Sequence, residues 1–162
     1  MKGRPTIRIA GAFFALSAII ELVSMGVQVP LLGALRGGLT AAVYHGAFAA
    51  LLLTIGVGLW KTAPWGARAV YLGTVVYSLD RFRYLLDRPG RESELLHQLG
   101  SYPEIVETFG VDLLLRLGTL MALLFVGCWW GFAVYVYVRR AVFTGAPVPG
   151  SADARDFPLH LS

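Results

Sequence analysis

A chain of 162 residues that is 56% apolar and only 15% charged lies well away from the soluble balance of roughly 45–50% and 25%, which excludes an ordinary water-soluble domain. Its net charge of +4 comes from Lys and Arg residues that flank apolar runs and build no basic face with interleaved aromatics, which argues against nucleic acid as a partner. Cys128 stands alone inside an apolar run, so the sequence offers neither a disulfide framework nor a Cys-based metal motif.

Arg outnumbers Lys twelve to two and Asn is absent, the composition expected of a GC-rich, bacterial genome. Without Asn there is no acceptor for N-glycosylation.

Crossing the hydrocarbon takes roughly 20 apolar residues, and four segments meet that length: residues 7–29, 39–60, 65–86 and 111–138. The expected fold is all-α, an antiparallel four-helix bundle integral to the membrane over residues 1–140, followed by a flexible tail over residues 141–162. The first segment has the basic start of a signal peptide in Lys2, Arg4 and Arg8. Glu21 follows its apolar run directly and no small-x-small cleavage site comes after it, so a retained helix is expected.

The first connection, GVQVPLLGALRGG, is apolar and Gly-rich, and either lies in the membrane interface or dips back into the bundle. The second, residues 61–64, is short enough to make the second and third helices antiparallel neighbours. Trp60 and Trp65 bracket it, placing that turn at headgroup level. Here GLWKTAPWGARAVYLG resembles the turn between the middle helices of small bacterial four-helix integral membrane proteins of unknown function. Gly58, Leu59, Lys61, Pro64, Trp65 and Arg68 match their pattern, while Gly66 intrudes between Trp65 and Ala67. The resemblance covers about a tenth of the chain; it implies this topology and no activity.

The third connection, residues 87–110, contains RESELLHQLG, whose spacing predicts a short surface helix after Pro89. Beyond Arg139 and Arg140 the tail is rich in Pro, Gly and polar residues, too poor in apolar surface to order itself. For orientation, Lys2, Arg4, Arg8, Lys61, Arg68, Arg139 and Arg140 lie at one end, and Arg36, Arg81, Arg83, Arg88 and Arg91 at the other. Seven against five predicts a multi-pass protein of the inner (plasma) membrane with both termini cytoplasmic.

Within these helices Glu21, His45, Asp80, Asp112 and Arg116 fall at one depth, in the outer-leaflet half. Positions three, four, seven and eleven apart share a helix face. Glu21 therefore shares a stripe, through Ala18 and Ala15, with Gly11; His45 shares one with Gly56 and Asp80 with Gly73; and Asp112 and Arg116 continue through Leu123 to the small-x-x-x-small pair Gly127 and Gly131. Small residues mark the faces along which membrane helices pack, and charged groups turn away from lipid. The five ionisable residues are thus expected to converge in one buried polar layer, with His45 protonated beside a carboxylate.

Two readings of that layer stay open. It is a structural network that fixes helix pairing, in a non-enzymatic accessory or interaction subunit whose partners are the lipid bilayer and another membrane protein or a second copy of itself. Alternatively it is the proton or ion site of a small proton-coupled transporter or ion-conducting oligomer. A divalent cation held by Glu21, His45, Asp80 and Asp112 is the weaker form of the second, since no paired-His or His-x-x-Glu spacing supports it and Arg116 would repel the ion. Ser17, Ser24 and Ser78 lack a recognisable base and orienting partner, and no nucleotide-binding glycine pattern occurs, so neither an enzyme nor a cofactor is expected. His97 and His160 are expected in solvent.

Overall fold

The computed structural model describes residues 3–31 and 33–144. The basic Lys2, the tail beyond Thr144 and His160 lie outside the described residues. Seven α-helices are described: α1 (Arg4–Val23), α2 (Gly38–Trp60), α3 (Pro64–Leu86), α4 (Arg88–Gln98), α5 (Pro103–Phe109), α6 (Val111–Val138) and α7 (Ala141–Thr144). A 3-10 turn, Ser24–Gly26, extends α1, and the strands β1 (Val29–Leu31) and β2 (Ala34–Arg36) pair antiparallel.

The four long helices follow the apolar runs, and three of them, α1 with its 3-10 extension, α2 and α6, are long and apolar enough to cross a membrane. This fits a membrane protein. α3 equals α2 in length, at 23 residues each, but carries Arg68, Asp80, Arg81 and Arg83 and is markedly less apolar. α1 stops at Val23, not at residue 29. Gly26 and Pro30 break an apolar run that continues in composition only.

The helices pack in chain order, α1 on α2, α2 on α3 and α3 on α6. Phe14 of α1 meets Trp129 and Phe132 of α6 at ring-centroid distances of 5.2 and 5.6 Å. The apolar core lies towards the Lys61 turn, where Ile7, Ile55, Leu59, Val70, Val136 and Phe143 are buried together. Glycines set how closely the backbones approach. A Cβ on Gly11 would lie 2.9 Å from the Gly56 carbonyl oxygen, and one on Gly56 would lie 2.9 Å from the Ala15 nitrogen. At the turn a Cβ on Gly58 would stand 2.6 Å from Gly66 Cα, so the glycine that intrudes in the GLWKTAPWGAR pattern is the one that lets α3 start against α2.

At the opposite end the first connection folds into regular structure. It is the β1–β2 hairpin, with Gly33 at φ 79° in its turn, a left-handed conformation that favours glycine. α4 packs on both strands. The third connection holds two helices, the expected one after Pro89 and a second, α5, that no sequence expectation covers.

Candidate functional site

The site grows from two side chains at the start of α2. His45 is buried, 8% exposed, and its Nδ1 lies 2.6 Å from Glu21 Oε2 on α1. Its Nε2 lies 3.3 Å from the carbonyl oxygen of Val27, just before β1. A backbone carbonyl only accepts, so Nε2–H must donate. The Nδ1–Glu21 bond then needs a second proton, held either by the ring or by the carboxyl.

One residue earlier, Tyr44 donates its hydroxyl to Asp80 Oδ2 at 3.0 Å. The other oxygen of Asp80 accepts from Arg83 Nη2 at 3.4 Å, and Arg83 also donates to the Pro30 carbonyl of β1 at 3.4 Å. Arg81 lies over the rings of Tyr77 and Tyr84, 5.1 and 5.6 Å from their centroids, a cation–π arrangement that holds the guanidinium in place. Arg91 of α4 lies 6.0 Å from the Tyr84 centroid and donates from Nη1 to Thr119 of α6 at 2.7 Å.

The hairpin is thus tied down by three side chains. His45 holds Val27, Arg83 holds Pro30, and Asp87 accepts from the Gly33 amide at 2.8 Å. Asp87 also accepts from Gly90 at 3.0 Å as the N-cap of α4. These amide N–H groups, that of Gly33 first, hold the Asp87 carboxyl below the usual carboxylate range by favouring its charged form. The cap is legible in the sequence as Asp followed by Pro89 at the helix start.

Under the hairpin lies a cavity of about 160 Å³ whose walls include Glu21, His45, Asp80, Arg81, Arg83 and Glu94. A neighbouring cavity of about 160 Å³ shares Tyr84 and Glu94 and reaches Leu115 and Gly118 of α6. Glu21, His45 and Asp80 are therefore brought together around one space.

Asp112 and Arg116 are not. Asp112 is exposed and accepts from Arg88 of α4 at 2.8 Å, and Arg116 lies beside an open surface groove with Glu92 and Asp112. The physical reason is the rotation of α6. Its inward stripe is Ala122, Trp129, Ala133 and Val136, whereas Gly127 and Gly131 are exposed with nothing within 4 Å of a would-be Cβ. At about 100° per residue that is roughly half a turn from the expected face. Gly11, Gly56 and Gly73 do lie at helix contacts, the last with a would-be Cβ 3.3 Å from the Trp129 ring. The four-ligand cation set of Glu21, His45, Asp80 and Asp112 is not assembled, because Asp112 lies elsewhere. His97 is exposed.

Tyr44, Arg83, Arg91 and Glu94 complete the site and were absent from the expected layer. Tyr44 is signalled only by its place beside His45, and Arg91 and Glu94 only by the helical spacing of the loop. No protein-family model matches this chain, and neither the curated proteins nor the solved structures compared with it give a match.

Proposed function

We propose that this chain is a non-enzymatic integral membrane subunit of the bacterial inner membrane, in which α1, α2, α3 and α6 cross the bilayer as a four-helix bundle. Both termini are cytoplasmic and the hairpin, α4 and α5 lie outside. α3 crosses despite its charges because the basic and acidic residues of its last two turns face the polar cavity, and Arg68 sits within two turns of the Lys61 turn. The positive-charge count and the resemblance at the α2–α3 turn support the same topology.

The observation that carries the interaction role is the exposure of α6. Over 28 residues it buries only Ala122, Ala133 and Val136, while α2 buries eight over 23. The uncovered side presents Gly127 and Gly131, spacing that lets a second helix approach closely in lipid. The partner is a second copy of this chain, paired through α6. The polar network then serves to fix α1, α2, α3 and the hairpin relative to one another.

Native Cys128 is exposed beside Gly127 and supplies the test. A thiol cross-linker applied to native membranes should give a covalent dimer, and Gly127→Leu with Gly131→Leu should abolish it. A Cys128 that reacts with maleimide but never cross-links would reject pairing through this face. Single cysteines at Lys61 and Ser93, in a Cys128→Ser background, report the orientation: an impermeant maleimide should label only position 93 in intact cells.

The second reading, a proton site for a small transporter or conducting oligomer, is favoured by one observation, the two acceptors that face His45. It requires that His45→Gln abolish proton movement in vesicles while the dimer still forms.

A further inference from the structure

The cavity beneath the hairpin has an imbalance of hydrogen-bonding groups that the bundle does not resolve. Its acceptors are largely committed. Glu21 Oε2 faces His45, and the two oxygens of Asp80 accept from Tyr44 and Arg83. Its donors are not. Arg81 Nε and Arg83 Nη1 on its wall, and Arg91 Nε on the adjoining cavity that shares Tyr84 and Glu94, are shielded from solvent without a hydrogen-bond partner. The nearest acidic oxygen to Arg81 Nε is Asp80 Oδ2 at 3.6 Å, beyond hydrogen-bond reach. On the acceptor side one atom, Glu94 Oε2, is likewise shielded and free. Native interiors pair nearly all such groups.

Across the two adjoining cavities, three guanidinium N–H groups against one carboxylate oxygen define a ligand: several acceptor oxygens and a single donor. Guanidinium forks fit planar or tetrahedral oxyanions, and the tyrosine rings beneath Arg81 and Arg91 hold two of the three in place. A cavity of about 160 Å³ corresponds to roughly five water volumes, room for a group the size of phosphate.

The geometry points to an oxyanion-binding site, in which Arg81, Arg83 and Arg91 take the oxygens of a phosphoryl group and Glu94 accepts from its one protonated oxygen or attached donor. That chemistry is offered by free phosphate from the aqueous side and by the headgroup of a phospholipid in the adjoining leaflet. The site is built from α3, α4 and the hairpin, so it does not depend on pairing through α6.

The test uses the full chain, delipidated in a phosphate-free maltoside detergent and labelled with 15N-arginine, with the Nε–H resonances of Arg81, Arg83 and Arg91 assigned by substitution. Inorganic phosphate should shift those three resonances saturably at constant ionic strength, where chloride does not. If only phosphatidylglycerol added to the micelle does so, the ligand is the lipid headgroup. Arg83→Gln should weaken the binding by about tenfold, the loss of one charge-assisted bond, and the exposed Arg36→Gln should leave it unchanged. Because Arg83 also holds Pro30 and Asp80, Arg91→Gln serves as the second variant and should give a comparable loss with the helical spectrum retained. Absence of a saturable shift with either probe, or an equal loss in Arg36→Gln, overturns the proposal.

Discussion

The bond between His45 and Glu21 joins α1 to α2 and is the shortest side-chain contact in the site, at 2.6 Å. Interhelical hydrogen bonds in membranes are worth about 0.6 kcal/mol on average and about 1.7 kcal/mol at most. This pair belongs near the upper end, because the bond is short, charge-assisted in one of its forms, and His45 is only 8% exposed. It is kept below that limit by the Glu21 side chain, which is 30% exposed and so is partly solvated without its partner. A double-mutant cycle of Glu21→Ala and His45→Ala should therefore return an interaction of about 1.5 kcal/mol, roughly tenfold in the unfolding equilibrium. The single changes should differ. His45→Ala removes the Val27 bond as well as the Glu21 bond, and should cost about 1 kcal/mol more than Glu21→Ala. The measurement is equilibrium unfolding in bicelles, with hydrogen exchange at residues 27–36 as a second readout. An interaction below about 0.3 kcal/mol, the limit of simple additivity, would refute the reasoning, as would unchanged exchange in the hairpin of His45→Ala.

Gly56→Ala places a Cβ 2.9 Å from α1 backbone atoms; separating the helices to ordinary contact should cost about 1–3 kcal/mol, read as a lowered Tm, while Gly127→Ala leaves the monomer's Tm unchanged. Asp87 has its carboxyl pKa lowered by the Gly33 and Gly90 amides, so its contribution is present above the unfolded value of about 3.9 and is lost as pH falls from there through the lower folded value. Hydrogen exchange around Gly33 should therefore speed up below about pH 4, and Asp87→Ala, which removes the acceptor, should exchange fast at every pH. Arg116→Ala should change stability by no more than about 0.5 kcal/mol, as at other exposed sites; a larger loss in unfolding experiments would return Arg116 to the buried layer.

α1, α2 and α6 were legible because a helix long and apolar enough to cross a membrane announces itself by its apolar length, and α6 begins and ends where its run does, Val111–Val138. Where the signal was composition without geometry, it misled. Val27 and Val29 prolong the first apolar run on paper, yet Gly26 ends the helix and Pro30 sits in a strand. The pairing of Glu21 with His45 could be anticipated because both sit on glycine-marked stripes of two helices that touch along their length. Asp112 and Arg116 were misplaced by the same rule, which assumes that lipid surrounds the helix. Both stand exposed within two turns of the start of α6, where α4 offers Arg88 to Asp112 instead. Tyr44, Arg83 and Arg91 depend on how the hairpin and α4 fold over the bundle end, a non-local arrangement that helical periodicity does not encode.

Synthesis runs from the N-terminus, and the three ties of the hairpin, at His45, Arg83 and Asp87, all precede the first residue of α6. So do Arg81, Arg91 and Glu94, and among the described walls of the two cavities α6 adds only Leu114, Leu115 and Gly118. While the ribosome still holds α6, the nascent chain already contains the residues of the cavity and of the hairpin over it. On the topology proposed above, insertion of the last helix is then a separate step, one that adds the third wall of the adjoining cavity, seats Trp129 against Phe14 and brings the face bearing Gly127 into the bilayer. Given the proposed pairing through α6, a defect confined to that helix should leave a chain that is inserted and capped but has nothing to pair through, and that quality-control proteases meet as an orphan instead of as a misfolded protein.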